Sequence, residues 1–392
     1  MRIIPMSKMK ELQNSKLAVF GSTGSIGLQT LDVARLHNIP IDCICAMKNI
    51  KALESQIREF KPRICAVYDP DAAKLLKIAV ADTDTRIYSG KEGVCAAAQD
   101  STAKMLLNSV MGMAGLMPTL AAIDSGKNIA LANKETLVAA GEIVMRAARD
   151  RNVQIIPVDS EHCAIHQCLS AGAKNEVRRL ILTCSGGSYF GKKREELYNI
   201  TPEEAVCHPK WNMGRKISVD SSSLMNKGLE IIEAAWLFDM DVDHIDVIIH
   251  RESIIHSMVE YIDHAVIAQM SVPDMRLCVQ YALTYPERYV GCTEALDLEK
   301  IQKLTFYKPD EETFCLLPLA RRAAKEGGIK PTVLNAANEQ AVELFLNKKI
   351  RFLDIFDSVS EVVSQFENQT ATLEHIHKAN LEARRKIEEF FC

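Results

Sequence analysis

The chain has 392 residues, a formal net charge of −4, and a globular composition with 47% hydrophobic and 25% charged residues. The length exceeds one ordinary core, so two or three domains are expected. The charge provides no general basic field, no apolar run reaches the roughly 18 residues of a membrane span, and the N-terminus lacks a secretory signal, so neither a nucleic-acid nor a membrane partner is expected.

The first part of the chain alternates strands with helices. Residues 16–37 predict a strand, a glycine turn and an amphipathic helix, and further strands are predicted in the apolar runs that follow. These runs are 39–47, 63–68, 104–110, 128–133 and 153–158. Because helical patterns separate the strands, residues 1–158 are predicted to form a Rossmann-like, doubly wound parallel sheet of α/β class.

The pattern changes after residue 160. A strand over 176–184, a helix over 222–240 and strands within 245–272 predict an α+β domain at 159–285, with a hairpin turn at Asp263 and His264. Residues 286–310 resemble a linker. The remaining residues, 311–392, carry successive amphipathic patterns and predict a C-terminal helical bundle.

The twelve cysteines are interpreted as reduced thiols of a cytoplasmic, bacterial protein. Disulfide-dense folds are usually small, and the sequence contains no CxxC pair. A catalytic thiol at Cys163 or Cys184 stays an alternative, because both lie next to motifs with candidate functional residues.

The glycine turn "FGSTGSIG" places Gly21, Gly24 and Gly27 between the first strand and its helix. Glycines let the backbone approach a pyrophosphate, and the N–H groups around Thr23 to Ile26 would face it at the helix N-terminus. The strand and helix supply the context that this motif requires, so a dinucleotide site is predicted. An ordinary glycine-rich turn is the alternative.

The end of the second strand favours NADP over NAD. NAD sites usually have an acidic residue there, whereas this chain has Lys48 and Asn49. A lysine can pair with the 2′-phosphate of NADP; a solvated lysine is the alternative.

Two carboxylates follow the last apolar run, in "PVDSEH". If this segment is extended, Asp159 and Glu161 point to the same side, and a hard divalent cation would remove their repulsion. Mg²⁺ or Mn²⁺ suits such ligands, and no Cys/His set recommends zinc. Solvated acids at a helix N-terminus are the alternative.

A third carboxylate lies on the predicted helix at 222–240. Spacings of three and four place Asn226, Lys227 and Glu230 on one helical face, where Glu230 would complete a metal triad unless the face is simply solvated.

Three further stretches have the composition of binding loops. Ser185 precedes two glycines in "TCSGGS", a turn whose N–H groups can bind an anion, and Ser221 precedes the helix of Asn226. His208 and Trp211 lie in "HPKWNMG", which is typical of a mobile lid.

Taken together, the motifs resemble one enzyme family. "GSTGSIG", "LANKETLV", "PVDSEH", "SGG", "HPKWNMGRKISVDSSSLMNKGLE", "IHSMV", "PDMR" and "LNAANE" occur in the order seen in 1-deoxy-D-xylulose 5-phosphate reductoisomerases. The resemblance spans about residues 16–390. It implies a homodimer that depends on NADPH and on Mg²⁺, Mn²⁺ or Co²⁺. Such an enzyme makes 2-C-methyl-D-erythritol 4-phosphate in the first committed step of non-mevalonate isoprenoid synthesis. The resemblance also implies that fosmidomycin inhibits it.

The resemblance also implies site residues. The metal ligands would be Asp159, Glu161 and Glu230. The substrate or its phosphate would contact Lys134, Ser160, Ser185, His208, Trp211, Ser221, Asn226 and Lys227. NADPH would contact Gly21, Thr23, Gly24, Ser25, Ile26, Lys48, Asn49, Asn133, Glu135, Met213 and Gly214.

The chain departs from the family pattern in four places. Met47 replaces the usual glycine, "SGGSYF" replaces "SGGPF" with one more residue, and "HRES" replaces "HPQS" at 250–253. About 15 residues precede the first strand without an evident role.

Two rival functions remain open from the sequence. Another NADP-dependent dehydrogenase of the aspartate-semialdehyde type would need a nucleophilic cysteine, and one of the homoserine type has no evident use for three carboxylates. A non-catalytic NADP sensor would keep the glycines without needing a lid.

Overall fold

The computed structural model describes residues 13, 15–207, 211 and 214–391. Within these residues the chain forms two compact units. The first comprises the chain up to Thr136 with Val144–Cys163 and Asp274–Glu294, and the second comprises Leu137–Ile143, Ala164–Pro273 and the chain from Ala295 onward. The finer division at residues 158, 285 and 310 stays a prediction.

The first unit is built on a sheet of seven parallel strands. They are β1 (Leu17–Phe20), β2 (Ile41–Ala46), β3 (Ile64–Val67), β4 (Arg86–Ser89), β5 (Met105–Asn108), β6 (Asn128–Leu131) and β7 (Ile155–Pro157). Their order is β4-β3-β2-β1-β5-β6-β7, so the winding direction reverses between β1 and β5. The predicted doubly wound sheet is confirmed, and ligands of such sheets bind at the strands' carboxyl ends beside this reversal.

The α-helices follow in chain order. They are α1 (Ser25–His37), α2 (Ile50–Phe60), α3 (Pro70–Ala79), α4 (Gly90–Asp100), α5 (Leu116–Asp124), α6 (Lys134–Arg151), α7 (Ser160–Cys168), α8 (Pro202–Ala205), α9 (Arg215–Ser222), α10 (Met225–Phe238), α11 (Met275–Thr284), α12 (Leu298–Ile301), α13 (Leu316–Glu326), α14 (Lys330–Leu346), α15 (Phe352–Gln365) and α16 (Leu373–Phe390). Polar caps set several starts: Asn49, Asp69 and Thr372 each accept a backbone N–H of the first turn. Among the described helices, none combines the length and apolar character that crossing a membrane requires.

The second unit contains a four-stranded mixed sheet. Its strands are β8 (Val177–Cys184), β9 (Ile245–Ile249), β10 (Ile255–Tyr261) and β11 (Val266–Met270), in the order β11-β10-β8-β9. The hairpin predicted between β10 and β11 is confirmed, because the Tyr261 N–H donates to the Ala265 carbonyl at 2.9 Å and His264 has φ +69°.

The core of the second unit lies between this sheet and its helices. Leu180 and Leu182 of β8 belong to the same buried cluster as Leu229 of α10, and Phe345 and Phe356 extend the cluster through α14 and α15. The helical C-terminal region is therefore confirmed, and its apolar stripes are buried inside this unit.

A buried carboxylate stabilises the first unit. Asp42 of β2 accepts hydrogen bonds from the Ser101 hydroxyl at 2.8 Å and from the N–H and hydroxyl of Thr102 at 2.8 and 2.9 Å. Lys16 and Arg63 lie 3.3 and 3.4 Å away. Burial raises the pKa of Asp42, but these hydrogen bonds outweigh it and lower the pKa from 3.8 to about 2.

We expect Asp42→Asn to reduce the free energy of unfolding by roughly 2 kcal/mol near neutral pH, the order of magnitude that corresponds to this pKa difference. Because the folded-state pKa is depressed, the stabilisation is complete above the unfolded pKa and disappears as the pH falls toward about 2. Urea unfolding of both proteins near pH 7 and pH 3 measures the difference. Asp71→Asn, at an exposed position, is the control. A difference that does not shrink in acid would contradict the ionic role.

Candidate active site

The predicted glycine turn follows β1 and leads into α1. Gly21 has φ +88°, and a Cβ there would lie 2.6 Å from the Ser109 carbonyl oxygen. A Cβ on Gly27 would lie 2.1 Å from the Gly21 oxygen, so side chains are excluded at both positions. Gly24 is exposed and would place a Cβ at an ordinary 3.4 Å from the Gly21 oxygen, so packing does not require its glycine.

Two buried side chains that the sequence analysis missed hold this turn. The Ser22 hydroxyl donates to Gln56 Oε1 at 2.7 Å, and Gln56 Nε2 donates to the Ser22 carbonyl at 2.9 Å. The only sign of this contact in the sequence was a glutamine on the otherwise apolar face of α2. The spacing of residues along the chain does not predict that this glutamine pairs with the glycine turn.

Lys48 and Asn49 follow β2 one residue after its end, at the carboxyl edge of the sheet. Lys48 is exposed, as is the neighbouring Met47. The Asn49 side chain accepts the Ala52 N–H at 3.2 Å and so caps α2. Lys48 is therefore accessible to an anionic ligand, whereas part of the hydrogen-bonding capacity of Asn49 is used locally.

The "NKE" segment at the start of α6 forms hydrogen bonds with the loop after β5. Asn133 is buried, accepts the Thr136 N–H at 2.9 Å, and donates to the Gly112 carbonyl at 3.0 Å and to Glu135 Oε2 at 3.2 Å. This side chain therefore shapes the loop after β5, a role that the sequence analysis did not assign to it.

The two acids of "PVDSEH" are brought together, but not by the predicted geometry. The expectation of an extended segment is wrong, because Ser160 and Glu161 form the first turn of α7 and only Asp159 precedes it. An oxygen of each carboxylate nevertheless lies within 4.8 Å of the other. The Ser160 hydroxyl donates to Glu161 in a short hydrogen bond.

Two basic side chains of the first unit lie beside these acids. Lys134 Nζ is 2.6 Å from Asp159 Oδ2, and His162 Nδ1 is 3.8 Å from the same oxygen. Lys134 and His162 are buried. The lysine charge balances the Asp159 carboxylate away from bulk water, where an ion pair interacts strongly.

The polar face predicted on α10 is present within the second unit. Asn226 Nδ2 donates to Glu230 Oε1 at 2.5 Å, and the Lys227 ammonium donates to Glu230 Oε2 in a short charged hydrogen bond. Glu230 is 0% and Lys227 2% exposed, which excludes the alternative of a solvated face for these two residues.

The Ser185 turn and Ser221 are also neighbours within the second unit, but Ser221 lies in the last turn of α9 and not in the predicted loop. Gly186 and Gly187 have φ of +77° and +68°, and the Gly187 N–H donates to Ser185 Oγ at 3.2 Å. A Cβ on Gly187 would lie 2.5 Å from the Ser221 carbonyl oxygen. The glycine therefore allows the turn after β8 to pack directly on the end of α9.

His208, a predicted lid residue, and Met213, a predicted NADPH contact, lie outside the described residues. The Trp211 ring meets the His256 ring edge-on, with centroids 6.0 Å apart. Gly214 is exposed and precedes α9, and a Cβ at this position would have no atom within 4 Å.

The described cysteines are free thiols. Cys163 is fully buried, and its hydrogen bond with Cys278, together with burial, raises the pKa of Cys278 well above its ordinary value. Cys184 contacts the Ile248 carbonyl at 3.8 Å. Burial of Cys163 disfavours the alternative of a catalytic thiolate at that position.

Family models of a single enzyme match most of the chain. A model described as 1-deoxy-D-xylulose 5-phosphate reductoisomerase matches residues 17–141, and two models of C-terminal domains of the same enzyme match 155–238 and 270–386.

Curated proteins named 1-deoxy-D-xylulose 5-phosphate reductoisomerase are similar over nearly the whole chain. The one from Clostridium botulinum (strain Loch Maree) is 50% identical, and the one from Caldanaerobacter subterraneus is 51% identical. Each alignment covers 95% of this chain and 98% of the relative.

Solved structures agree with the sequence comparisons. The Zymomonas mobilis reductoisomerase in complex with NADPH has a TM-score of 0.90 and 39% identity, covering 96% of this chain and 99% of that one. A reductoisomerase complex with NADPH, fosmidomycin and magnesium has the same TM-score and identity, with coverages of 96% and 98%.

Proposed function

The chain belongs to the 1-deoxy-D-xylulose 5-phosphate reductoisomerase family, and on that premise we propose how its residues perform the reaction. The enzyme uses NADPH and a divalent metal ion to rearrange and reduce 1-deoxy-D-xylulose 5-phosphate to 2-C-methyl-D-erythritol 4-phosphate. The single observation that carries this function is the 50% identity over 95% of the chain. It sets aside the rival dehydrogenases and the NADP sensor.

NADPH is proposed to bind at the carboxyl edge of the seven-stranded sheet, beside the reversal between β1 and β5. The residues fit this cofactor, because Gly21 and Gly27 allow the tight turn, while Gly24 leaves an exposed backbone at the N-terminus of α1. Lys48 is accessible for the 2′-phosphate. The further proposed contacts are Thr23, Ser25, Ile26, Asn49, Asn133, Glu135, Met213 and Gly214.

A divalent ion is proposed to bind Asp159, Glu161 and Glu230. The donor set fits Mg²⁺, Mn²⁺ or Co²⁺, because carboxylate oxygens are hard ligands and those of Asp159 and Glu161 lie within 4.8 Å of each other. When bound, the ion would polarise the substrate's carbonyl and an adjacent hydroxyl as a Lewis acid. Lys134 and Lys227 supply positive charge to Asp159 and Glu230.

The substrate phosphate is proposed to bind Ser185, Ser221, Asn226 and Lys227. The direct packing of Gly187 on Ser221 supports this assignment, because it places the Ser185 turn beside the end of α9 that carries Ser221. Lys227 adds a cation, and phosphate binding far from the reacting bond can supply energy for closure.

The substrate's hydroxyl end is proposed to contact Lys134 and Ser160. A buried ammonium can stabilise the oxyanion that develops as a carbon–carbon bond breaks and re-forms before hydride transfer. Ser160 can orient Glu161 through its short hydrogen bond. His208 and Trp211 are proposed to cover the substrate and exclude water from the reactive intermediate.

We further propose that the protein forms a homodimer in the bacterial cytoplasm. The outer strand β11 supports dimerisation, because it ends the sheet with exposed apolar side chains at Val266 and Ile267. The free thiols are consistent with a reducing compartment.

NADPH consumption by the purified protein tests the function. We expect turnover of 1-deoxy-D-xylulose 5-phosphate in the presence of Mn²⁺, loss of turnover with a chelator, recovery on adding excess Mn²⁺, and inhibition by fosmidomycin. NADPH binding without turnover under any of the three metals would contradict the proposed activity. Turnover that persists in chelator would contradict the metal dependence.

A further inference from the structure

An arginine outside the proposed substrate contacts holds the turn after β8. Arg251 Nη1 donates to the Gly187 carbonyl at 2.9 Å and to the Ser185 carbonyl in a short hydrogen bond. The guanidinium carbon also lies 5.0 Å from the centroid of the Phe190 ring, within cation–π range. One side chain therefore contacts both ends of the turn and the loop beyond it.

These contacts determine which way the peptide groups of the turn face. In a trans peptide the N–H points opposite to the C=O of the same peptide group. Because the Ser185 and Gly187 carbonyls face the guanidinium, the N–H groups of Gly186 and Ser188 are directed away from it. Backbone N–H groups oriented together in this way can bind an anion.

The residues on either side of Arg251 are themselves anchored. The His250 N–H donates to the Cys184 carbonyl at 2.7 Å. The His250 ring stacks on the Phe306 ring, with centroids 5.0 Å apart. Glu252 accepts the Thr305 hydroxyl at 2.7 Å and the Thr305 N–H at 3.1 Å. Arg251 is thus presented from a segment that is held on both sides.

We propose that Arg251 is a positioning residue for substrate phosphate, acting by fixing the peptide orientation of the Ser185–Gly187 turn. The proposal rests on the assignment of this turn to the phosphate under the proposed function. The guanidinium comes from "HRES" and the ring beside it, Phe190, from "SGGSYF".

The test compares Arg251→Met and Arg251→Lys with the wild-type enzyme. We expect Arg251→Met to raise KM for the substrate about tenfold or more, the effect of losing one or two hydrogen bonds from a charged donor. The inhibition constant of inorganic phosphate, measured in competition with substrate, should rise by a similar factor. KM for NADPH should stay within about twofold of the wild-type value.

Arg251→Lys separates positioning from charge. A lysine keeps the charge, but it is shorter and lacks the planar guanidinium that lies against the Phe190 ring, so KM for the substrate should stay well above the wild-type value. Full rescue by lysine would overturn positioning in favour of simple charge. Unchanged substrate KM and phosphate inhibition in Arg251→Met would overturn the proposal altogether.

Arg351→Met is the matched control, because Arg351 also lies over an aromatic ring, 4.9 Å from Tyr198, but is exposed and far in sequence from the turn. Thermal melting of each variant detects a general loss of stability. A fall in kcat and a rise in both KM values in parallel with a lower melting temperature would show a merely structural role. Wild-type turnover, measured first, separates failure of this proposal from failure of the proposed function.

Discussion

In a Glu230→Gln variant, metal-dependent turnover is expected to fall on the order of 10³-fold. This loss exceeds the roughly 10–100-fold loss that is typical when a residue hydrogen-bonded to a metal ligand is replaced. The substitution keeps the shape of the side chain but removes the negative charge that a hard cation requires. Turnover as a function of Mn²⁺ concentration, together with direct Mn²⁺ binding, should show a weakened site. Glu299→Gln, on the exposed surface, is the control.

The pairing of Glu230 with Lys227 complicates this test, because both side chains are buried. Removing one charge leaves the other uncompensated, which typically destabilises a protein by about 3–5 kcal/mol. We therefore include the double variant Glu230→Gln with Lys227→Met, in which the buried charges are removed together.

The double variant distinguishes a ligand from a structural acid. If Glu230 binds the metal, the double variant should recover thermal stability without recovering Mn²⁺ affinity. Undiminished Mn²⁺ affinity in the stable double variant would remove Glu230 from the proposed metal ligands while leaving the family assignment intact.

Long apolar runs made most of the first sheet predictable, whereas its outer strand was missed. β2 consists entirely of buried residues and stands out in the sequence, but β4, Arg86–Ser89, has only four residues and none of them is buried. An outer strand needs one neighbour and little apolar surface. Its existence follows from pairing with β3, which a local pattern does not report.

For the two acids near residue 160, the predicted proximity is present in the structure, but the predicted extended conformation is not. The proximity of Asp159 and Glu161 was expected from an extended segment, yet the structure achieves it at the start of a helix. Local sequence is compatible with both conformations, since Asp-Ser-Glu is also a common helix start. The rest of α7 favours the helical conformation, because Ala164 and Ile165 of the same helix are buried in the second unit.

Contacts between distant segments account for the residues beside the proposed sites that sequence reasoning missed. Gln56 holds the glycine turn from 34 positions away, and Arg251 reaches Ser185 across 66. Gln56 is a polar residue on the otherwise apolar face of α2, and Arg251 belongs to no periodic pattern. Arg251 was noticeable only as a departure from the family pattern, and its consequence became apparent from its partners in the fold.

A Lys134→Met variant is expected to lower kcat by roughly 10²–10³-fold, the effect of removing one group that stabilises a developing oxyanion. Lys134 is buried at the start of α6, and its ammonium lies 2.6 Å from Asp159 Oδ2. Methionine keeps a side chain of similar length without the charge. Steady-state kinetics and Mn²⁺ binding of the variant are measured side by side, with Lys77→Met on the exposed face of α3 as control.

The two measurements should move in different directions if Lys134 acts on the substrate. A cation next to Asp159 repels Mn²⁺ and occupies one of its carboxylate oxygens, so removing it should leave Mn²⁺ affinity unchanged or higher. Lower turnover with intact or tighter Mn²⁺ binding would therefore support a direct role in the reaction. Lower turnover with weaker Mn²⁺ binding would contradict that role and show that Lys134 serves instead to hold Asp159 in place.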